Sequence, residues 1–554
     1  MVTIFVMQNK IIQNSAILSF LLLFIVYSFL LSMLLPARNW ETDFGSYYAL
    51  SMFLDHNNIL YDSMFSHSGP FYFVFIKFVN FFLGWGWKSS IITYAFTYIL
   101  YFLAVFFLCS KLNLKFIEIF LVILLLISYQ KYFGTNVSLQ NFFNIILILF
   151  STYLLIFVDK NFDKKYFFIS IIFFSFLILT RIDGILYSIL IAGCYLFYLS
   201  KKKINFKIIL KDLFFSLSIF IIIFLSFKYL LGFTFQGYYT HNILFNLKYS
   251  LLFDSMNNFE FYLNFTPKKL TQLIIFLYVV ALIFLKKKQL LNYNIYSFLV
   301  ILMMFLLSLY SFEIKINYIF YAIYFLISLT LFFIALRDQF YAPFLFSIFF
   351  YFISIVIFNY SGSYKMYHTA MLHPSYLYLL CSLILLIKKI NYQYLKFFFI
   401  FLIFFFISDQ YKKHFTFLKS QILKSNNFSL QNSYKNFYYS PSKIYDNEVV
   451  KLKKDKNLKI ICGRGWINVF SNKKVDGNIY DWWYFTSLNF KTDYFEADYL
   501  NFIKKKIGKV FIIDEYCAQD NKNHSIELKY ILENSIKIRN LNFFNIKYEL
   551  RELL

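Results

Sequence analysis

Asp43 is the first residue of the chain whose type and position suggest chemistry. It lies a few residues beyond the first apolar run, which covers residues 14–35 and predicts a retained membrane helix. A carboxylate at the membrane surface can accept a proton from a hydroxyl group while that hydroxyl attacks the C1 carbon of a sugar. The alternative is structural: Thr42 or Asp43 would cap a helix predicted over 44–54, and the spacing alone favours this cap.

Arg181 and Asp183 form the second candidate group, because they interrupt a long apolar stretch. Charged side chains at membrane depth are costly and usually line a cavity or pair with each other. Arg181 is suited to bind the phosphate of a lipid through two parallel hydrogen bonds. The alternative is an Arg181–Asp183 turn at the outer membrane surface, with the arginine extending towards the headgroups. The residues alone leave these two interpretations open.

The composition shows which elements must position these residues. The chain has 554 residues, of which 60% are hydrophobic and 15% charged, whereas soluble proteins carry about 25% charged residues. Lipid must therefore be the solvent for most of the apolar surface, and the apolar runs predict a polytopic α-helical membrane protein with about 13 transmembrane helices. The net charge of +25 comes largely from lysines at the ends of apolar runs, which indicates a bilayer and no nucleic acid as the partner.

The lysines also predict the orientation, because cytoplasmic loops carry an excess of Lys and Arg. The segment 70–84 is apolar but short and contains Lys77, so we expect it to lie in the membrane interface. The N-terminus is then cytoplasmic, and the loop 36–88 is an outer loop with juxtamembrane helices. The groups that we expect to face the cytoplasm are Lys111/Lys115, Lys164/Lys165, Lys201–Lys203, Lys286–Lys288, Arg337 and Lys388/Lys389.

The composition changes near residue 410, where the chain becomes rich in Lys, Asn and Asp. Two β-like runs, 458–462 and 509–513, alternate with polar helical stretches such as 526–535. We therefore predict a transmembrane domain over 1–410 and a small α/β domain over 411–554. The protein is expected to be a multi-pass protein of the cell (inner) membrane with an extracytoplasmic C-terminal domain.

The order of features in the first outer loop resembles the GT-C superfamily of membrane glycosyltransferases. Its members include protein O-mannosyltransferases, the lipid A aminoarabinose transferase and related bacterial core-sugar transferases. In that family an Asp follows the first helix, then come a Tyr-containing juxtamembrane helix, a Leu-Tyr-Asp-like turn and an aromatic segment after a proline. The chain matches this order with Asp43, Tyr47, Tyr48, Leu60-Tyr61-Asp62 and His67-Ser68-Gly69-Pro70-Phe71-Tyr72.

The resemblance implies a GT-C-like fold in which Asp43 is the general base, with Tyr47, Tyr61, Asp62 and His67 near the substrate. It also implies a polyprenyl-phosphate sugar as donor, inversion at C1, and a lipid, glycan or protein of the cell envelope as acceptor. A phosphate leaves well as an anion, so one carboxylate can suffice.

A polar, aromatic and basic loop over 359–374 is comparable to a family segment that contacts the lipid phosphate. Lys365, His368 and His373 are its candidates, together with Arg181. The alternative for this loop is a belt of aromatic residues at the membrane surface, with incidental histidines. No metal-ligand spacing is recognisable, so we predict no metal site and no cofactor, although His and Asp side chains can bind divalent metals.

The chain departs from the family pattern at two places. Many relatives carry an acid after the helix that corresponds to 116–130, whereas this chain has no acid over 134–141. Gln140 or Asn141 can instead hydrogen-bond a sugar. Some relatives also place Glu-Lys where this chain has Ser68-Gly69.

Other classes of membrane protein stay open. A transporter or flippase should show charges on several helices or broken repeats, and only Arg181 and Asp183 stand out here. An O-antigen polymerase or ligase should have a large arginine-bearing outer loop between late helices, but 233–269 contains no Arg. A non-enzymatic scaffold is the remaining alternative.

Overall fold

The structure is a computed structural model. Besides Ile25, it describes residues 47–48, 50–52, 54, 59–61, 66, 68–85, 87–129, 138–202, 206–244, 343, 346–347, 349–350, 353, 373–389, 459–460, 510–514, 526–543 and 546–554.

Helices dominate the described part of the first 400 residues. In chain order they are α1 (Pro70–Leu83), α2 (Trp87–Lys111), α3 (Phe116–Tyr129), α4 (Ser138–Asp159), α5 (Lys164–Thr180), a 3-10 helix (Ile182–Tyr187), α6 (Ser188–Lys202), α7 (Phe206–Leu231), a single turn (Phe235–Tyr238), a π-helical turn (Tyr239–Leu244) and α8 (His373–Lys389).

Four helical segments in the described part are long and apolar enough to cross a membrane: Ile92–Lys111, Leu139–Asp159, Ile182–Leu199 and Phe206–Leu231. This finding confirms the prediction of a helical membrane protein in its coarse form. The number of about 13 spans stays a prediction, because many of the expected helices lie outside the described residues.

The helix α1 is too short to span a bilayer. Its 14 residues reach about 21 Å at 1.5 Å per residue, against a hydrocarbon thickness of about 30 Å. Pro70 occupies the first turn, where its fixed φ suits a helix start, and Gly84 ends the helix with φ +72°. Phe78, Phe81 and Phe82 are exposed on its distal half. These properties agree with the predicted juxtamembrane helix.

The core of the described bundle surrounds α4, whose apolar segment is 83% buried. Near the ends of their helices, Phe107 of α2 contacts Tyr153 of α4 with ring centroids 5.7 Å apart. These two helices therefore run in the same direction. Phe150 of α4 contacts Phe174 of α5 at 5.6 Å, and the tight turn between the two helices makes them an antiparallel pair.

Lysine-bearing helix ends meet at one end of this bundle. Lys164 at the start of α5 places its Nζ 2.8 Å from both carboxylate oxygens of Asp212 in α7. The hydroxyl of Tyr195 in α6 donates to Asp212 Oδ2, also at 2.8 Å. One buried carboxylate thus joins three helices. The described lysines at these helix ends and the adjoining turns are Lys111, Lys115, Lys160, Lys164, Lys165, Lys201, Lys202, Lys207 and Lys211.

The described C-terminal elements form a mixed four-stranded sheet with one helix. They are β1 (Lys459–Ile460), β2 (Val510–Asp514), α9 (Ile526–Glu533), β3 (Ser535–Phe543) and β4 (Ile546–Leu553). The strand order is β1-β2-β4-β3, with β1 and β2 parallel and the other two pairings antiparallel.

The first two strands fall on the two predicted β-like runs, with β2 shifted by one residue at each end. The C-terminal hairpin was not predicted. The predicted helical stretch 526–535 ends at Glu533, because Ser535 already belongs to β3. The division into domains 1–410 and 411–554 stays a prediction.

Candidate functional site

The loop predicted over 36–88 and the Arg181 turn are joined by a backbone hydrogen bond. The nitrogen of Gly69 donates to the carbonyl oxygen of Thr180 at 3.0 Å. A Cβ atom on Gly69 would clash with the carbonyl group of Leu179, so only glycine allows this approach. Gly184 also approaches the end of the same helix, since a Cβ there would be 2.9 Å from the carbonyl oxygen of Leu177.

Two of the predicted substrate-binding tyrosines meet at Ser68, next to this contact. The Ser68 hydroxyl donates to Tyr47 Oη at 3.1 Å, and the Tyr61 hydroxyl donates to the Ser68 carbonyl oxygen at 2.6 Å. Both tyrosines are buried. Their hydroxyls therefore hold the loop in place, and contact with a substrate stays a prediction for both.

Tyr61 also ties the loop to the segment that follows α7. Its backbone has φ +68°, a left-handed conformation that is uncommon for a residue with a side chain. Its ring contacts Phe233 and Tyr238 edge-on, each at 5.4 Å, and His241 at 6.4 Å. These three residues are not among the predicted site residues, because nothing in their local pattern signals a contact so distant along the chain.

Burial determines the protonation of this aromatic cluster. It raises the pKa of Tyr61 well above its ordinary value, with a further contribution from Tyr238, and it raises the pKa of Tyr238 too. Burial lowers the pKa of His241 to about 4, because the charged imidazolium is poorly solvated there. At neutral pH the imidazole is therefore uncharged and the phenols keep their protons.

Arg181 forms an ion pair with Asp183. Its Nη2 lies 2.5 Å from Asp183 Oδ2, and the two side chains are only 15% and 22% exposed. The guanidinium carbon lies 6.0 Å from the ring centroid of Phe143 in α4. The predicted Arg181–Asp183 turn is thus present. The arginine, however, lies over the buried helix α4 instead of extending towards the headgroups. A guanidinium has five N–H donors, so the pair leaves donors that can bind a phosphate.

Gln140 lies on the first turn of α4, three residues before Phe143, the ring that the Arg181 guanidinium approaches. Gln140 and Asn141 are buried. Among the described residues, neither Gln140 Oε1 nor the side-chain amide atoms of Asn141 have a hydrogen-bond partner. The structure therefore brings Gln140, Arg181 and the loop that contains Tyr47 and Tyr61 to the same end of the bundle.

The remaining predicted site residues are not placed by the structure. Asp43, Asp62, His67, Lys365 and His368 lie outside the described residues. The backbone of His373 begins α8, but its side chain is also outside the description.

The helix that begins at His373 is packed against the helix that carries Gln140. The hydroxyls of Tyr378 in α8 and Ser151 in α4 lie 2.5 Å apart. Phe350 links the two regions, since its ring lies 5.1 Å from that of Tyr378 and 5.8 Å from that of Tyr187. Tyr187 in turn contacts Phe143 at 6.0 Å. A chain of buried aromatic rings therefore connects α8 with the neighbourhood of Arg181.

The chain matches no protein-family model and no curated protein in sequence. The arrangement of its own residues is therefore what bears on function. That arrangement consists of one arginine–aspartate pair, two buried amides without partners in the described part of the chain, and uncharged phenol and imidazole groups. Such a set of groups is suited to bind a phosphate that carries a polar, uncharged group.

Proposed function

We propose that this protein is a GT-C-type glycosyltransferase that transfers a sugar from a polyprenyl-phosphate donor to a lipid, glycan or protein acceptor of the cell envelope. The observation that carries the proposal is the hydrogen bond between Gly69 and Thr180. It joins the loop that contains Asp43 to the turn that contains Arg181. An inverting transfer requires a base and a phosphate-binding cation at one site, and this contact supports such a site.

Arg181 would hold the phosphate of the donor. A guanidinium binds phosphate through two parallel hydrogen bonds and stabilises the negative charge that develops as the glycosidic bond breaks. Asp183, at 2.5 Å, would orient the guanidinium. Lys365, His368 and His373 are the further candidates for this phosphate. His373 begins α8, and α8 packs on α4, the helix that carries Gln140.

Asp43 would be the general base. It would take the proton of the acceptor hydroxyl while the hydroxyl oxygen forms a bond to C1 and the C1–phosphate bond breaks. Tyr47, four positions later in the chain, is held by Ser68, which supports a fixed position for this part of the loop. The phosphate leaves as an anion, so no second carboxylate has to protonate it. Asp62 and His67 belong to the same loop and would contact the substrates.

The distribution of charge supports the proposed location. Nine described lysines lie at one end of the bundle, and Arg181 lies at the other. Because cytoplasmic segments carry an excess of lysine, the site would face outwards from the inner membrane. Polyprenyl-phosphate sugars are available on that side, which agrees with the proposed donor. The C-terminal domain would lie there too, near an envelope acceptor.

The test compares membranes that contain the wild type, Asp43→Asn and a matched control, Asp55→Asn, from the same loop. They receive radiolabelled polyprenyl-phosphate sugars and an extract of the cell envelope. Loss of a general base lowers the rate by about 10²–10⁴-fold, so we expect label transfer to disappear in Asp43→Asn and to persist in the control.

Three outcomes would redirect the assignment. Equal transfer in wild type and Asp43→Asn would show that Asp43 is not the base. Labelled donor that crosses the bilayer without being consumed would favour a flippase. Consumption of diphosphate-linked oligosaccharides in place of the monophosphate sugars would favour an O-antigen polymerase or ligase.

A further inference from the structure

Two amide side chains at the start of α4 stand out because their polar atoms are buried without partners. Among the described residues, Oε1 of Gln140 and both Oδ1 and Nδ2 of Asn141 accept or donate no hydrogen bond. Asn141 is fully buried and Gln140 is 6% exposed. Buried polar groups in folded proteins are nearly always satisfied, and an unsatisfied one is destabilising. A polar ligand or an ordered water is therefore the expected partner.

Two hydroxyl side chains on the same helix differ from this pair. Ser151 donates to the carbonyl oxygen of Leu147 at 2.7 Å, and Thr152 donates to that of Ile148 at 2.6 Å. Such hydroxyls satisfy themselves within their own helix. Gln140 and Asn141 do not use this solution, although they lie on the same helix. Their unmet hydrogen-bonding capacity is thus a local property of the outer end of α4.

The neighbouring residues show which side of α4 the amides occupy. Phe142 contacts Phe71 and Tyr72 of α1, both at 5.2 Å, so this direction is filled. Ser151, eleven residues after Gln140, faces α8. Residues eleven apart lie on one face of a helix, and they are separated by about 16 Å along its axis. Gln140 therefore lies on the α8 side of α4, towards the outer end.

Arg181 defines what kind of ligand can reach the amides. Its guanidinium carbon lies 6.0 Å from the ring of Phe143, which is three residues after Gln140 and on the same face of α4. A phosphate on Arg181 would therefore lie about one helical turn, roughly 5 Å, from the level of Gln140 along the helix axis, which is about the length of a sugar ring. An amide offers one acceptor oxygen and two N–H donors, which match hydroxyl groups that both donate and accept.

We infer that Gln140 and Asn141 bind the hydroxyl groups of an uncharged sugar whose phosphate is held by Arg181. This inference rests on the proposed function and names the class of its donor as a neutral glycosyl phosphate. An uncharged sugar is favoured at this position, because the two amides carry no charge to compensate a buried ion.

The test uses the full chain in detergent and the isosteric variants Asn141→Leu and Gln140→Met, with Thr152→Val as the matched control. The probes are farnesyl phosphate and the farnesyl phosphates of glucose, galactose and mannose. Thermal unfolding is followed with and without each probe, and the apparent affinity is taken from the concentration dependence of the unfolding temperature.

At least one of the sugar phosphates should stabilise the wild type more than farnesyl phosphate does. In Asn141→Leu that sugar-dependent increment should vanish, with an apparent affinity about tenfold weaker. Without a probe, Asn141→Leu should unfold at the wild-type temperature or above, because the apolar isostere removes an unsatisfied polar group. Thr152→Val should retain the increment.

Three results would overturn the inference and leave the proposed function standing. If Asn141→Leu without a probe unfolds at a lower temperature than the wild type, the Asn141 amide is hydrogen-bonded within the protein. An unchanged sugar increment in that variant would place the sugar elsewhere. A wild type that responds equally to farnesyl phosphate and to every sugar phosphate would indicate that the amides bind water only. If farnesyl phosphate itself fails to bind, the proposed function fails together with the inference.

Discussion

The Gly69 nitrogen lies 3.0 Å from the Thr180 carbonyl oxygen, and the two residues are more than 100 positions apart in the chain. This contact fixes the first outer loop to the residue that precedes Arg181. It leaves no space for a side chain at Gly69, since a Cβ would meet the carbonyl of Leu179. The loop and the arginine are therefore positioned by backbone atoms.

Gly69→Ala should separate the loop from the turn. Overpacking of this kind costs about 1–3 kcal/mol of stability, and a displacement of about 1 Å at a catalytic site costs about 100-fold in rate. The measurements are thermal unfolding in detergent and label transfer in membranes. Gly232→Ala is the control, because that glycine has φ +70° with no close neighbour and should lose stability without loss of transfer. Equal loss of transfer in both variants would contradict the prediction.

Lys164→Met should destabilise the lysine-rich end of the bundle. It removes the cation that lies 2.8 Å from Asp212, whose side chain is only 5% exposed, and leaves a buried carboxylate without its ion-pair partner. We expect a loss of about 3 kcal/mol in the free energy of unfolding. Lys165→Met, at the adjacent exposed lysine, should change stability by less than about 0.5 kcal/mol. Equal unfolding temperatures of the two variants would argue against the role of this ion pair.

Cys109 and Cys381 should become linked on mild oxidation. Their Sγ atoms lie 3.7 Å apart in the core, although they are 272 residues apart in sequence. Diamide, a membrane-permeant oxidant, would take two electrons and two protons from the thiols as the S–S bond forms. Mass spectrometry of the digested protein should identify the linked peptides, which should be absent in Cys381→Ala and retained in Cys194→Ala. A linkage to Cys194 would contradict the packing of α2 on α8.

The free energy of unfolding should fall with acidification, because the imidazole of His241 is buried. The pKa of His241 is lowered to about 4 by burial, so the unfolded chain binds the proton more readily. Above the ordinary pKa of about 6.5 the full stability is present, and it is lost as the pH falls through 4. Tyr61, whose ring lies 6.4 Å from the imidazole, stays protonated throughout. We expect a loss of about 2 kcal/mol between pH 6.5 and 4, measured by thermal unfolding.

His241→Gln provides the comparison for this pH dependence. It keeps a polar side chain but removes the titrating group, so the decline between these pH values should be smaller than in the wild type. An identical decline in both proteins would assign the acid sensitivity to other groups.

The helices were predictable because hydropathy and lysine positions are local properties. Pro70 and Gly84 mark the ends of α1 in the sequence itself, and the lysines that follow α2 and α6 indicate which helix ends meet. The C-terminal hairpin was missed because the run from Ser535 follows a helix without an intervening turn signal. Its strands are defined by pairing with each other and with β2, which no local pattern specifies.

The candidate site was predictable only in its parts. The sequence marked Tyr47, Tyr61, Gln140 and Arg181 individually, but the contacts between them depend on the packing of helices that are distant in sequence. The anchoring of Tyr61 by the segment after α7 is of this kind. The lack of a described partner for Asn141 is a property of its surroundings, and composition cannot show it.

Few glycines occur in this chain, 14 among 554 residues, and two of them, Gly69 and Gly184, lie against the last turn of α5. Two stretches of main chain pack against that turn from two sides, and only glycine at these two positions allows the close contact. These main-chain contacts therefore determine the direction in which the Arg181 side chain leaves the backbone. The position of the cation is then set by main-chain atoms and not by the size of the aromatic side chains around it.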